Sequence, residues 1–328
     1  MGRAGDLMYS RISGTGHCVP QKVVSNFDLE KIVDTTDEWI RTRTGVERRH
    51  VAADNESTVD FAEGAALNAM AAAGVTAEDI DFIVVGTTTP DLVFPNVGCL
   101  LQERLGIHGC AAFSVEAACS GFIYALSIAD KFVSSGQAKC ALVVGAETLS
   151  RITDWDDRTT CVLFGDGGGA VVLQQSEEPG LISTHLRADG KYKDLLFTPG
   201  GIANRPPGDM RESLEIEMLG NEVFKIAVKS LESIVEETIA ANNMDRSEVD
   251  WLIPHQANIR IIQATAKRLG MSMDKVILTI QEYGNTSAAS IPMALDVAVR
   301  DGRIQRGETL LLEAFGGGFT WGSALLRF

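Results

Sequence analysis

Hydrophobic and polar positions follow the same order at two places in the chain. Residues 69–82 run from an alanine-rich segment with helical spacing, through Gly74 and a short acidic stretch, into an apolar run. Residues 238–251 repeat this order around Asn243, and aligning Gly74 with Asn243 needs no gap. Glycine and asparagine are the residues that best end a helix in the left-handed conformation. Each place is therefore predicted to contain a helix, a tight stop and a buried strand.

A second correspondence follows further along the chain. After Cys119 come apolar positions at helical spacing, a glycine and a buried apolar run, and the same features follow Asn285. The chain is therefore predicted to contain two similar α/β halves, residues 1–178 and residues 179–328. Because helices alternate with buried strands, we expect helices packed on mostly parallel sheets.

The segment that joins the two halves lacks this regularity. Residues 180–220 are predicted to form an irregular connection, with a glycine- and proline-rich loop at 198–213. Apolar positions recur at helical spacing over residues 222–241, which predicts a helix there.

Composition and charge exclude several classes of protein. The 328 residues carry a formal net charge of −15, which argues against nucleic-acid binding because that function usually needs a basic surface. No apolar stretch approaches the roughly 18 residues of a membrane span, and the first ten residues lack the apolar core of a secretory signal. The six cysteines form no C-x-x-C pair. We therefore expect a cytoplasmic protein with reduced thiols and no metal site.

Cys119 is the first candidate for chemistry. It lies between a predicted strand and a predicted helix, and its neighbours are the small residues Ala117, Ala118, Ser120 and Gly121. We expect a strand–turn–helix elbow in which unpaired N–H groups and the helix dipole favour the thiolate. A buried structural cysteine is an equally good interpretation of this segment alone.

His255 and Asn285 lie at similar junctions. His255 follows an apolar run, at the end of a strand where open α/β sheets bind ligands. Asn285 lies between a predicted strand at 276–280 and a helix that starts near Ala288. A structural histidine and a turn or cap asparagine are the plainer alternatives. The functional interpretation is favoured by position, since Cys119, His255 and Asn285 lie on one side of sheets related by the repeat and can converge on one pocket.

Two glycine clusters are candidates for binding loops. Residues 164–170 lead into a strand, whereas a phosphate-binding loop opens a helix and ends in lysine, so a nucleotide site is disfavoured. Residues 316–318 follow an apolar run and can give a backbone N–H access to an oxyanion, although a β-turn is the alternative.

Basic residues stand out on this acidic chain. Arg260, Lys267 and Arg268 share one face of a predicted helix, and Lys225 and Lys229 are one turn apart on another. They form either a solvated surface or a landing patch for an acidic partner.

Five motifs in this order resemble those of the β-ketoacyl-acyl carrier protein synthase III family: AACSGF, FGDG, PHQAN, GNTSAAS and EAFGGGFTWGSALL. The resemblance extends from about Tyr9 to Phe328. It implies the duplicated thiolase fold, layered α-β-α-β-α, and a homodimer. It also implies a decarboxylating condensation of an acyl-coenzyme A, expected to be acetyl-coenzyme A, with malonyl-acyl carrier protein. That reaction initiates fatty-acid synthesis and needs no further cofactor.

The same resemblance implies roles for individual residues. Cys119 matches the acylated nucleophile, and His255 and Asn285 match the pair that supports decarboxylation. The backbone N–H groups of Cys119 and Gly317 match the oxyanion hole. The residues that match coenzyme A and pantetheine contacts are Trp39, Arg43, Arg158, Gly220, Asn221 and Phe224. Phe94 matches a residue of the acyl pocket contributed across the dimer, and the residues that match the carrier-protein docking face are Lys225, Arg260, Lys267 and Arg268.

Three alternatives remain at this stage. A related decarboxylating enzyme of secondary metabolism would have the same site residues. A non-catalytic subunit that binds the carrier protein is expected to lack the nucleophile, whereas Cys119 is present. A degradative thiolase is disfavoured by Asn285, because thiolases use a second cysteine as base.

Overall fold

The computed structural model describes residues 8–204 and 213–328. Residues 1–7 and part of the loop predicted at 198–213, residues 205–212, lie outside the described residues. The strands are β1 (Tyr9–Cys18), β2 (Val23–Ser25), β3 (Arg48–His50), β4 (Phe82–Gly86), β5 (Ala111–Val115), β6 (Cys140–Thr148), β7 (Asp166–Ser176), β8 (Leu181–Ala188), β9 (Leu196–Phe197), β10 (Glu217–Met218), β11 (Trp251–Pro254), β12 (Thr309–Gly316) and β13 (Thr320–Arg327).

The helices follow the predicted apolar spacing. They are α1 (Asn26–Leu29), α2 (Asp37–Thr44), α3 (Thr58–Ala73), α4 (Val97–Arg104), α5 (Gly121–Ser134), α6 (Gly220–Ala241), α7 (Ile259–Leu269), α8 (Ile280–Tyr283) and α9 (Ser290–Arg300). Among the described helices, none is both long enough and apolar enough to cross a membrane.

Two sheets form the centre of the fold, with strand orders β1-β7-β6-β4-β5 and β11-β12-β13-β8. β4 pairs in parallel with β5 and β6, and β11 pairs in parallel with β12. The other pairs of these two sheets are antiparallel, so the prediction of mostly parallel sheets was wrong. The reason is that β6–β7 and β12–β13 are joined without a crossover helix, and such connections give antiparallel neighbours.

Five layers result from the way that helices cover these sheets. α5 and α9 lie between the two sheets, where their apolar residues pack with those of both. α3 and α4 cover the outer face of the first sheet, and α6 and α7 cover the outer face of the second. The predicted α-β-α-β-α layering is therefore confirmed.

The sequence repeat corresponds to a repeat of structure. Gly74 ends α3 with φ of 68°, and Asn243 follows α6 with φ of 52°, so both occupy the left-handed region as the alignment predicted. Asp81 accepts the backbone N–H of Cys140 at 3.1 Å, at the start of β6. The aligned Asp250 accepts the backbone N–H of Thr309 at 2.8 Å, at the start of β12. Equivalent aspartates thus fix equivalent strand pairs in the two halves.

Two local predictions were wrong. The connection predicted as irregular contains β8, an edge strand whose partly exposed, mixed sequence hides the alternation of a strand. The strand predicted at 276–280 is reduced to a single bridge between Val276 and Leu252, after which α8 begins. The predicted boundary at residue 178 falls between β7 and β8, and the division into two domains stays a prediction.

Candidate active site

Cys119 lies in a tight turn between β5 and α5. Residues Ala118–Ser120 form a 3-10 turn that leads directly into α5, so the predicted elbow is present. Ala118 has φ of 45°, a left-handed conformation that an alanine rarely adopts. The strand end opposite must be glycine, because a Cβ at Gly316 would lie 2.6 Å from the backbone nitrogen of Cys119.

The thiol of Cys119 is not the preformed thiolate expected from the sequence. Burial raises the pKa of Cys119 to about 12, and the nearby Glu147 raises it further, while a hydrogen bond with Ser287 lowers it. The residue is partly exposed and borders a cavity, but the protein packed around its side chain disfavours the charged form. The expectation of a helix-stabilised thiolate was therefore wrong, because desolvation outweighs the helix N-terminus. The thiol is protonated at neutral pH.

His255 is held at the end of β11 in one orientation. Its backbone N–H donates to the carbonyl of Glu313 at 2.8 Å, and its Nδ1 lies 2.6 Å from Ser290 Oγ. Ser290 Oγ accepts the backbone N–H of Gln256 at 3.3 Å, which directs the hydroxyl proton of Ser290 to Nδ1. Burial lowers the pKa of His255 to about 3, so the ring is neutral. Its remaining proton is then on Nε2, available as a donor.

Asn285 is fixed by its backbone and by its side-chain oxygen. Its N–H donates to the carbonyl of Leu163 at 2.8 Å, and its Oδ1 accepts the backbone N–H of Ser287 at 2.9 Å. The side-chain NH₂ has no hydrogen-bond partner within residues 8–204 and 213–328. That group is therefore free to donate to a bound molecule.

One cavity of about 1730 Å³ brings these groups together. Cys119, His255, Asn285 and Gly317 all border it. The backbone N–H groups of Cys119 and Gly317 donate to no carbonyl of the described chain. The cavity thus contains a nucleophile, two neutral side-chain donors and two free backbone donors, which suits a reaction that develops negative charge on oxygen.

The mouth of this cavity has an aromatic ring, Trp39, with two cations close to it. The guanidinium of Arg43 lies 4.8 Å from the ring centre of Trp39, and that of Arg158 lies 5.2 Å from it. Arg158 also donates to the carbonyl of Asp34 at 2.7 Å. A flat ring stacked on Trp39, with phosphates near the guanidinium groups, suits this arrangement.

The residues expected along the tunnel border the same cavity at the start of α6. They are Gly220, Asn221 and Phe224. The guanidinium of Arg260, on α7, lies 5.9 Å from the ring centre of Phe224 and also borders the cavity. The tunnel residues and one residue of the predicted docking face are therefore neighbours.

The other predicted docking residues differ in how far their charge is neutralised. Lys225 pairs with Glu222 at 2.8 Å, and Arg268 pairs with Glu232. Lys267 is exposed and has no ion-pair partner in the described part of the chain. Arg260 and Lys267 therefore contribute most of the uncompensated positive charge.

Phe94 does not reach the cavity of its own chain. It is 83% exposed, while its neighbours Leu92 and Val93 border the cavity. A role for Phe94 in the acyl pocket therefore depends on a second chain.

Family models for 3-oxoacyl-[acyl-carrier-protein (ACP)] synthase III match residues 113–190, and for its C-terminal part residues 239–328. A relative from Thioalkalivibrio sulfidiphilus, named beta-ketoacyl-[acyl-carrier-protein] synthase III, is 64% identical over 98% of this chain and 100% of its own length. One from Xanthomonas campestris with the same name is 64% identical over 98% of this chain and 99% of its own length. The chain belongs to the β-ketoacyl-[acyl-carrier-protein] synthase III family.

Solved structures agree with this family assignment. The synthase III structure from Aquifex aeolicus is 47% identical, covers 97% of this chain and 100% of its own, and has a TM-score of 0.91. A priming β-ketosynthase of the R1128 polyketide pathway is 33% identical, covers 99% and 98%, and has a TM-score of 0.94. The thiolase fold is therefore established, and the higher identities favour synthase III over an enzyme of secondary metabolism.

In this member of the synthase III family, three residues around the site were missed by the sequence analysis. Glu147 and Ser287 contact one another and surround Cys119, and Ser290 orients His255. Glu147 had a detectable signal, because it is an acidic residue within an otherwise apolar strand. Ser287 and Ser290 resemble ordinary turn residues, so no feature of the sequence indicates their role.

Proposed function

We propose that this protein condenses an acyl-coenzyme A with malonyl-acyl carrier protein, releasing coenzyme A and carbon dioxide and giving a 3-oxoacyl-acyl carrier protein. Acetyl-coenzyme A is the expected donor. The observation that carries the proposal is the single cavity that joins the Trp39 mouth to Cys119, His255 and Asn285. A thioester of coenzyme A entering at Trp39 has its reactive carbonyl beside the thiol at the inner end.

The first half-reaction acylates Cys119. Its sulfur attacks the thioester carbonyl, and the N–H groups of Cys119 and Gly317 donate to the oxyanion that forms. Trp39, Arg43 and Arg158 hold the nucleotide end of coenzyme A, and Gly220, Asn221 and Phe224 border the pantetheine arm.

The second half-reaction uses the donors on the other side of the cavity. Loss of carbon dioxide from the malonyl group places negative charge on its thioester oxygen. The Nε2–H of His255 and the side-chain NH₂ of Asn285 donate to that oxygen, where they stabilise the transition state more than the substrate. Because decarboxylation itself generates the carbanion, the proposed reaction needs neither a strong base nor a resident cofactor. The carbanion then attacks the acyl thioester of Cys119.

The carrier protein is proposed to dock beside this entrance. Arg260 and Lys267 supply unneutralised charge there, with Lys225 and Arg268 beside them. An acidic carrier would be attracted in spite of the overall net charge of −15, because local charge decides the encounter.

A homodimer is proposed from an exposed edge. β5 is the last strand of its sheet, and residues 92–94 nearby expose a leucine, a valine and a phenylalanine. Unpaired strand edges and clustered exposed apolar groups are normally covered. Pairing of β5 with the same strand of a second copy would cover both and would bring Phe94 towards the partner's acyl pocket.

A cytoplasmic location is proposed from the thiols. All six cysteines are free, as expected in a reducing compartment.

Intact mass spectrometry tests the proposed reaction directly. The purified protein is incubated with a panel of acyl-coenzyme A donors and then with malonyl-acyl carrier protein. We expect one acyl group on the wild type, discharged by the carrier, and none on Cys119→Ala. Acylation of the Cys119→Ala variant, or failure of every donor to acylate the wild type, would contradict the proposal.

A further inference from the structure

Glu147 is a buried carboxylate beside the nucleophile that neither half-reaction uses. It lies near the end of β6 and has no exposed surface. Its oxygens accept hydrogen bonds of 2.6–3.2 Å from neutral donors only: the N–H groups of Thr88 and Thr89 and the hydroxyls of Thr87, Thr88, Thr89 and Ser287. Among the described residues, no cation pairs with it.

A buried carboxylate of this kind lowers the stability of the fold. Burying a carboxylate without a cation destabilises a fold unless hydrogen bonds replace its hydration. Groups of this kind concentrate at functional sites. The charge of Glu147 also disfavours ionisation of Cys119, so its presence is not explained by stabilisation of a thiolate.

Ser287 connects the carboxylate to the nucleophile. Its Oγ donates to Glu147 Oε1 at 3.0 Å, and its turn, Ser287–Ala289, contacts the turn Ala118–Ser120 that carries Cys119. A hydroxyl has one proton, so while that proton is on the Glu147 side the oxygen is free to accept the S–H proton of Cys119. The backbone of Ser287 is held at φ of 48°, a left-handed conformation that costs about 1–3 kcal/mol in a residue other than glycine. The fold therefore tolerates strain at the residue that links the two groups.

We propose that Ser287 and Glu147 form a relay that removes the thiol proton of Cys119 during acylation. This inference rests on the proposed function. As the sulfur attacks the thioester carbon, the S–H proton passes to Ser287 Oγ while the hydroxyl proton of Ser287 passes to Glu147 Oε1. When the bond from carbon to the coenzyme A sulfur breaks, the proton returns through Ser287 to that departing thiolate. Glu147 accepts hydrogen bonds from N–H and O–H donors, as a carboxylate does, and it regains that form after acylation, so no other reactant is needed.

The other candidate for proton acceptor is His255. Burial lowers the pKa of its ring to about 3, and Ser290 directs a proton to its Nδ1, which leaves a donor on the cavity side. Burial instead raises the pKa of Glu147, which makes it a stronger base than an exposed carboxylate. In this relay Ser287 touches the reacting sulfur, and Glu147 is a positioning residue that acts through it.

The pH dependence of acylation tests the relay. Single-turnover acylation by acetyl-coenzyme A is measured by quenched intact mass from pH 6.5 to 8.5 for the wild type, Glu147→Gln and Ser287→Ala. With the relay, the proton moves internally and the wild-type rate is nearly flat with pH. Both variants are expected to lose about 100-fold at pH 7. Their rates should rise about tenfold per pH unit, because a thiol with a pKa of about 12 must then ionise to solvent.

Two further variants sharpen the result. The double variant should be no slower than the slower single variant, because both substitutions interrupt one relay. His255→Ala, whatever its absolute rate, should keep the flat profile. Ser287→Ala is expected to fold, since Ala118 already adopts the same backbone conformation, and thermal unfolding of each variant checks this.

The outcomes separate this inference from the proposed function. A wild type that accepts no acyl group contradicts both. Two outcomes overturn the relay alone. One is a wild type that is acylated at a rate that rises tenfold per pH unit. The other is a flat pH profile that persists in Glu147→Gln and Ser287→Ala. A tenfold slope in His255→Ala would also overturn it and would make the histidine the acceptor.

Discussion

Glu313 lies in the second sheet with a carboxyl group that has no partner. The residue is on β12 and 1% exposed, and neither side-chain oxygen has a hydrogen-bond partner among the described residues. Leu311 and Phe315, two positions away on the same face, pack in the apolar clusters on the outer side of this sheet. Burial alone raises the pKa of Glu313 to about 8.

This shift gives a definite pH dependence of stability. The unfolded chain releases the proton near pH 4.5 and the folded chain near pH 8, so the folded state binds the proton more tightly between these values. Stability therefore falls as the pH rises through this window. At about 1.36 kcal/mol per pKa unit, the free energy of unfolding falls by about 5 kcal/mol by pH 8. Glu313→Gln removes the titrating group and should remove this loss.

Urea unfolding of wild type and Glu313→Gln at pH 5, 6.5 and 8, at one protein concentration, measures the difference. We expect similar midpoints at pH 5 and a gain by the variant that grows with pH. Glu103→Gln, at an exposed carboxylate with no ion pair in the described chain, is the matched control and should show no growing difference. A difference between Glu313→Gln and wild type that stays constant with pH would refute the reasoning.

Three other predictions concern the proposed reaction. Asn285→Ala should still be acylated but should lose decarboxylation of malonyl-acyl carrier protein about 100-fold, measured as carbon dioxide release, since one donor to the developing charge is gone. Unchanged release would contradict its role. Trp39→Ala should raise the KM for acetyl-coenzyme A about 5- to 150-fold, as expected for loss of a stacking ring, and an unchanged KM would place the adenine elsewhere. Arg260→Glu should weaken use of the carrier protein about tenfold, more at low salt, with acylation retained. Equal loss of both activities would indicate misfolding.

The fold could be predicted where the sequence pattern is local. Apolar spacing predicted a helix at 222–241, and α6 spans Gly220–Ala241. The left-handed stops at Gly74 and Asn243 were predicted because few residue types adopt that conformation. Strand direction was not predicted correctly, since it depends on how distant segments pair. β8 was missed because an edge strand needs no apolar residues on its exposed side.

The site could be predicted only in part. Cys119, His255 and Asn285 were singled out because each follows a strand or precedes a helix, and the structure places all three on one cavity. The pKa of Cys119 was misjudged because a sequence shows the helix N-terminus but not the depth of burial. The contacts of Glu147 span 59 residues to Thr88 and 140 residues to Ser287, so no local pattern reveals them.

Duplication explains why the nucleophile and its partners meet. The turn at Ala118–Ser120 precedes α5, and the turn at Ser287–Ala289 precedes α9, with φ of 45° and 48° at their first residues. α5 and α9 both pack in the core between the sheets, and these two turns contact each other. One copy of the turn carries the thiol of Cys119, and the other carries the Ser287 hydroxyl beside it. The chemistry therefore lies at the junction of two related elbows, and neither half contains a complete site.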